Sequence, residues 1–257
     1  MEVKVYDDPG MIRVVQAAID ENPYRRELEV LLDKVKDYDH FYWGGIVRNG
    51  VLKYMHGIDI ASNDIDLILE ASTKDHGSLK TVDFEKLLQG FQGIIMNRYG
   101  LPKWKPKQGV EFDISAFSEC NKARVYGSTD LDITAIVEGC DLTTSAIAFD
   151  PREKKIYSYR AIESYATRTI DINFPEGSEP CALLPRLLLH SKKLGFGIGE
   201  ESRRYISNFY DNGIELKGDI LDKMTYWGTQ REFFKVISIL KEISGTTPAR
   251  RFKTSYF

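Results

Sequence analysis

The stretch Asp64-Ile65-Asp66-Leu67-Ile68-Leu69 decides the fold. It opens with acidic and apolar residues in alternation, the pattern of a β-strand. Side chains two apart on a strand share a face, so Asp64 and Asp66 point the same way, about 6–7 Å apart along the chain. Ile65, Leu67 and Leu69 form the opposite, buried face. Two carboxylates fixed at that spacing can bind one divalent ion or bridge two. Mg²⁺ takes hard oxygen ligands and keeps positions open for water and phosphate oxygens. Such pairs are also common on solvated strand edges, so their meaning depends on what surrounds them.

Upstream stands Trp43-Gly44-Gly45-Ile46-Val47-Arg48. The aromatic run His40–Trp43 reads as a short strand and Ile46–Met55 as a helix, so the glycines sit at a strand-to-helix junction. Glycine lets backbone pass close to a ligand, and a helix N-terminus offers free N–H groups to a phosphate. Arg48, one turn into the helix, can reach the same anion or fix the carboxylates. A Gly-Gly pair alone is simply a tight turn. Downstream, Val110–Phe117 (VEFDISAF) alternates again. Phe112 and Ile114 make its core face; Asp113 lies on the other face, and Glu111 shares it. A carboxylate on an adjacent strand would complete a three-acid site of the kind that in-line phosphoryl transfer uses. Asp132, in LDITAIV, competes with Asp113 for that role.

The rest of the chain divides in two. Residues 8–20 and 25–38 read as amphipathic helices, Phe84–Tyr99 as a helix and Leu131–Val137 as a strand. Ser145–Phe149 and Lys155–Tyr159 read as strands about a turn at Asp150-Pro151. Beyond about residue 178, Cys181–Leu194, Glu200–Tyr210, Leu216–Tyr226 and Gln230–Ile243 look helical, with no clear strand. The expected fold class is α+β: a small mixed sheet with flanking helices over residues 1–177, then an all-helical part over 178–257. The 257 residues are ample for a buried core. With 28% charged and 42% hydrophobic residues the composition is globular rather than disordered. The net charge of −3 hides a split: residues 1–150 hold 25 acidic against 17 basic side chains, residues 151–257 hold 13 against 18. An acidic metal site joined to a polyanion-binding half fits this split. No apolar run approaches the ~18–20 residues of a membrane span, and MEVKVYDDPG has no signal-peptide core. Cys120, Cys140 and Cys181 are odd in number and far apart, which argues against a disulfide scaffold or zinc site; a cytoplasmic setting is expected.

Taken in order, FYWGGIVRNGVLKYMHG, NDIDLIL, FDISAF, CDLTTSAIAFDP and LLPRLLLHSKKLGFGI resemble the head and neck of the poly(A) polymerase and class II CCA-adding tRNA nucleotidyltransferase family, within the DNA polymerase β-like superfamily. The resemblance spans roughly residues 38–197. It implies a nucleotidyltransferase head followed by a helical neck and short body. Mg²⁺, or Mn²⁺ in its place, is expected on Asp64 and Asp66, and a nucleoside triphosphate (NTP) such as ATP at Gly44-Gly45. It aligns FDISAF with the family's third-acid strand, which favours Asp113 over Asp132 and Glu111. By the same resemblance Asp141, Thr143, Glu179 and Arg186 join Gly44, Gly45 and Arg48 as nucleotide-binding residues.

The departures are specific. Asn49 replaces the final Asp of the family's G-G-x-V-R-D motif. Both arginines of R-R-D-F-T-x-N-A are absent, with Gly139 and Cys140 in their places. In the neck, Pro180 and Leu183 replace the Asp and Arg that read the incoming base, and neither can hydrogen-bond a base edge. About 60 residues follow the neck motif, so a truncated body is expected. Lys192, Lys193, Arg203 and Arg204 are the candidate RNA contacts, since basic side chains pair with phosphates. The expected activity is metal-dependent transfer of a nucleotide to an RNA 3′ end, a tRNA first of all. The alternatives are transfer to a protein or small molecule, or a non-catalytic RNA-binding or inhibitory protein.

Overall fold

A computed structural model describes residues 2–62, 64–70, 82–96, 101–109, 111–127, 131–177 and 180–211. Its elements in chain order are β1 (Lys4–Tyr6), α1 (Pro9–Asp20), α2 (Arg25–Lys34), β2 (Asp39–Trp43), α3 (Gly45–His56) and β3 (Asp64–Glu70). There follow α4 (Phe84–Leu87), β4 (Ile94–Met96), β5 (Pro102–Trp104), β6 (Glu111–Ala116), α5 (Asn121–Tyr126) and α6 (Ile133–Glu138). Then come β7 (Ile147–Asp150), β8 (Lys155–Ser158), α7 (Ala161–Thr167), β9 (Thr169–Ile170), α8 (Pro180–Leu194), β10 (Gly197–Ile198) and α9 (Glu200–Asp211). Among the described residues no helix is long and apolar enough to cross a membrane.

The architecture is the expected mixed sheet with flanking helices. Eight strands run in the order β1-β8-β7-β2-β3-β6-β5-β4. Neighbours are antiparallel except β3 and β6, which are parallel, with Asp64 opposite Glu111, Asp66 opposite Asp113 and Leu67 opposite Ile114. The alternation of β3 assigns its faces. Ile65, Leu67 and Leu69 join Phe112, Ile114 and Phe149 in the larger core, covered by α1, α2 and α3. On the other face Ile68 packs with Phe41, Phe117, Ile136 and Ala148. Asp64 and Asp66 occupy this second face beyond the end of its apolar cluster. The larger core continues past residue 177 through Leu183, Leu187, Phe196, Ile198 and Ile206.

α1 starts at Asp8, whose side chain accepts from the Met11 N–H at 2.7 Å, with Pro9 in the first turn. This is an N-cap followed by a residue that needs no N–H partner. α1 packs closely on α3, and Gly50 makes that possible: a Cβ there would stand 2.8 Å from the Val15 Cα. Gly50→Ala would gain up to about 1 kcal/mol of helix propensity but must push two backbones apart. We expect net destabilisation of about 1–3 kcal/mol, the range of overpacked cores, measured by urea unfolding; equal or greater stability would refute the packing argument.

Several elements differ from the sequence reading. Phe84–Tyr99 is not one helix: α4 stops at Leu87, and Ile94–Met96 forms an edge strand. Leu131–Val137 is not a strand. Asp132 accepts hydrogen bonds from the Thr134 and Ala135 N–H groups and caps α6, which takes it out of contention as the third acid. The strands β1, β5, β9 and β10 and the helices α5 and α7 were not anticipated, and β10 is a strand in the part read as free of them. The helices expected at 216–226 and 230–243 lie outside the described residues.

Candidate active site

The parallel register of β3 and β6 brings the acids together. Asp66 and Asp113 are direct neighbours across the strand pair, and Asp64 lies two residues before Asp66 on the same face. The backbone of the Gly-Gly turn closes over them. Gly44 has φ +62° and ψ −122°, a conformation natural to glycine, and a Cβ there would lie 2.9 Å from Asp66 Oδ2. The Gly45 N–H, in the first turn of α3, donates to the Asp66 carboxylate. The open end of the helix therefore already faces negative charge. Deep setting, together with the charges of Asp64 and Asp113, pushes the Asp66 carboxyl up to about 7. The site holds more negative charge than it can balance near neutrality.

Cations stand around these acids. Arg48 is buried, and its Nε donates to Asn49 Oδ1 at 3.0 Å. Burial lowers its pKa against the opposing fields of Tyr165, Asp64 and Asp66, yet a guanidinium stays charged. Arg186, on α8, is paired with Asp141 at 2.8 Å. His190, one turn further, contacts the Thr144 hydroxyl through Nδ1 at 3.2 Å. Burial, with Arg48, Arg186 and Lys193 nearby, holds its pKa well below the usual histidine value, so it is neutral at pH 7.

The other candidates are placed as follows. Asn49, where the resembled family has Asp, donates to Ile60 O at 3.2 Å and Ser62 Oγ at 2.8 Å, tethering the approach to β3. The Thr143 hydroxyl is committed internally, to Ser164 Oγ at 3.0 Å and the Asp171 N–H at 3.0 Å. Leu183 is fully buried in the core. Lys192 and Lys193 are exposed near the end of α8, whereas Arg203 donates to Ile198 O and Arg204 pairs with Glu200. Glu179 lies outside the described residues.

Sequence reasoning missed Lys103. It lies opposite Asp113 on β5, with Nζ 2.9 Å from Asp113 Oδ2 and 2.7 Å from Glu111 Oε2. Burial works to lower its pKa, but hydrogen bonds to Glu111 and Asp113 outweigh that and hold it above the usual lysine value. The signal was present in Pro102-Lys103-Trp104-Lys105, where lysines alternate with the buried Trp104.

The donors suit a hard divalent cation. Asp113 Oδ1 is buried without a hydrogen-bond partner, Asp66 is buried beside two further carboxylates, and all three side chains offer carboxylate oxygen. Among the described residues no three His, Cys, Asp or Glu side chains close into a ready-made metal cage; Asp113 is turned toward Lys103.

No family model and no curated protein matches the sequence. Solved structures do match its fold. A CCA-adding enzyme in complex with ATP superposes with a TM-score of 0.63 at 16% identity, over 95% of this chain and 55% of that one. The Thermotoga maritima CCA-adding enzyme complexed with tRNA gives 0.56 at 16% identity, over 94% and 51%. A tRNA-processing enzyme gives 0.56 at 13% identity, over 86% and 56%. The likeness is one of fold, at low sequence identity. The fold is the one found in CCA-adding and tRNA-processing enzymes, of whose length this chain spans about half.

Proposed function

We propose that the chain is a metal-dependent nucleotidyltransferase that moves a nucleoside monophosphate from an NTP to the hydroxyl of an RNA 3′ end, a tRNA or tRNA-like end first of all. The observation that carries the reading is the pairing of Asp66 with Asp113 in register, under a glycine turn that closes on Asp66. The same fold in enzymes solved with ATP, CTP and tRNA supports the nucleotide and the acceptor.

Asp64, Asp66 and Asp113 are the residues that would hold Mg²⁺, or Mn²⁺ in its place. When bound, the metal neutralises phosphate charge and makes the acceptor hydroxyl more acidic. Gly44 keeps the floor of the site thin, and the start of α3 turns its positive end toward the phosphates. Arg48 and Arg186 add fixed positive charge beside them, the part the missing arginines would have played. Asp113 Oδ1, with no partner inside the protein, is the oxygen Asp113 would offer to the metal. The base lies against a neck in which Leu183 faces the core, so hydrogen-bonded discrimination among bases by that position is absent. Lys192 and Lys193 remain available for the acceptor's phosphates; Arg203 and Arg204 are engaged locally and join only at their free nitrogens.

Incubation with Mg²⁺, each labelled NTP and total RNA tests the reading, with Asp64→Ala/Asp66→Ala as the control. Extension of RNA by the wild type alone supports it. Label on protein or on a small product would move the acceptor elsewhere. RNA binding without transfer, equal in the control, would leave a non-catalytic binder.

A further inference from the structure

β5 carries Lys103 into the acid cluster on a rigid strand, and Lys105 follows directly after its end. Trp104 between them stacks on Phe112 with ring centroids 5.2 Å apart, and its Nε1 donates to Gln92 O at 3.0 Å. The lysine side chain is only 20% exposed. Its ammonium bridges Asp113 Oδ2 and Glu111 Oε2, while Lys105 pairs with the other oxygen of Glu111. The Asp113 carboxyl is thereby divided. Oδ2 is neutralised by Lys103, and Oδ1 is buried without a partner beside Asp66.

We propose that Lys103 is a resident cation that competes with a divalent ion for Asp113. The inference rests on the metal reading above and adds a positioning residue to it. While the ammonium holds Oδ2, Asp113 can offer only Oδ1, so it is a one-oxygen ligand. An ion that uses Asp113 must share the carboxylate with Lys103 or displace it, and binds more weakly than the acids alone would bind it. Glu111 is the alternative seat of the ammonium, already within hydrogen-bond distance, so displacement needs no new partner.

The test is Mn²⁺ binding to the full chain stripped with chelator, followed by the paramagnetic resonance of free Mn²⁺, with no substrate present. Lys103→Met should bind Mn²⁺ on the order of tenfold more tightly than the wild type, the scale of removing one close, partly buried charge. Lys103→Arg should restore wild-type affinity. Lys105→Met, which removes the same charge without touching Asp113, should change little. In an Asp113→Asn background the gain from Lys103→Met should vanish, the mark of direct coupling. Should the methionine variant fail to fold, Lys103→Gln carries the comparison. Equal binding by wild type and Lys103→Met, or a gain that survives in Asp113→Asn, overturns the proposal and leaves the metal reading standing. No Mn²⁺ binding by either protein overturns both.

Discussion

Asp66→Asn is expected to abolish nucleotide transfer and at the same time to stabilise the metal-free protein above neutral pH. The loss should be at least about 10³-fold, roughly 4 kcal/mol of transition-state stabilisation, because the substitution removes an oxygen proposed to bind the metal. The gain has a separate origin. The Asp66 carboxyl is pushed up to about 7, first by burial and then by Asp64 and Asp113, against an ordinary value of about 3.9 in the unfolded chain. A carboxyl raised on folding favours the folded state when protonated. Its contribution is complete below about pH 4 and fades as pH rises through about 7. Above that pH the folded protein holds a charge it does not accommodate, at a cost of about 1–3 kcal/mol. Asparagine keeps the shape and removes that charge. Thermal melts in EDTA should show the variant melting higher than wild type at pH 8, by about 2–4 °C per kcal/mol, with the difference closing toward pH 4. A variant that is less stable at pH 8, or still active, would contradict the placement of Asp66. Added Mg²⁺ should narrow the gap by stabilising the wild type alone, since only a ligand of the folded state raises its stability.

The parts of this site that were legible in the sequence are those set by local periodicity. Alternation in Asp64–Leu69 and Val110–Phe117 revealed which side chains share a face, and the strand-to-helix glycines located the turn. Strand order was not legible, because pairing joins residues far apart in the chain. The choice of Asp113 therefore leaned on resemblance, and the parallel register that sets it beside Asp66 appeared only in the structure. Leu131–Val137 misled because its β-branched residues favour a strand, while the cap at Asp132 and burial of Ile133, Ile136 and Val137 made it a helix. Phe84–Tyr99 misled because apolar spacing outweighed Gly90 and Gly93, both at positive φ and both helix breakers. That error hid the β4–β5 pair and, with it, Lys103. Thr143 illustrates a further limit. Motif alignment placed it at the nucleotide, but its hydroxyl is hydrogen-bonded inside the protein.

The adjacent glycines of the turn should respond in opposite ways to the same added methyl group. Gly44→Ala meets two separate obstacles. At φ +62° an L-residue is strained by about 1–3 kcal/mol, and its Cβ would lie 2.9 Å from Asp66 Oδ2, closer than carbon and oxygen tolerate. Neither obstacle has a cheap escape. Asp66 is held by the Gly45 N–H and by its strand, while the Gly44 N–H is tied to Ile147 O at 3.2 Å. A combined destabilisation of about 3 kcal/mol or more is expected, a fall in melting temperature of roughly 6–12 °C for a chain of this size. Transfer activity should fall with it even below the melting range, because relief of the contact must displace the Asp66 carboxyl from its place among the acids. Gly45→Ala has no such conflict. Its Cβ would sit 3.8 Å from Arg48 Nη2 and 3.9 Å from Asp64 Oδ1, ordinary contact distances. Alanine is also the better helix former in the first turn of α3, so stability should hold or rise by up to about 1 kcal/mol. The methyl group would nevertheless stand between a guanidinium and a carboxylate, where a phosphate is proposed to bind, so the KM for the NTP should rise. Circular-dichroism melts of the two variants, with NTP titrations of whatever stays folded, separate these effects. Equal stability losses at both positions would mean that the turn is not built around Asp66.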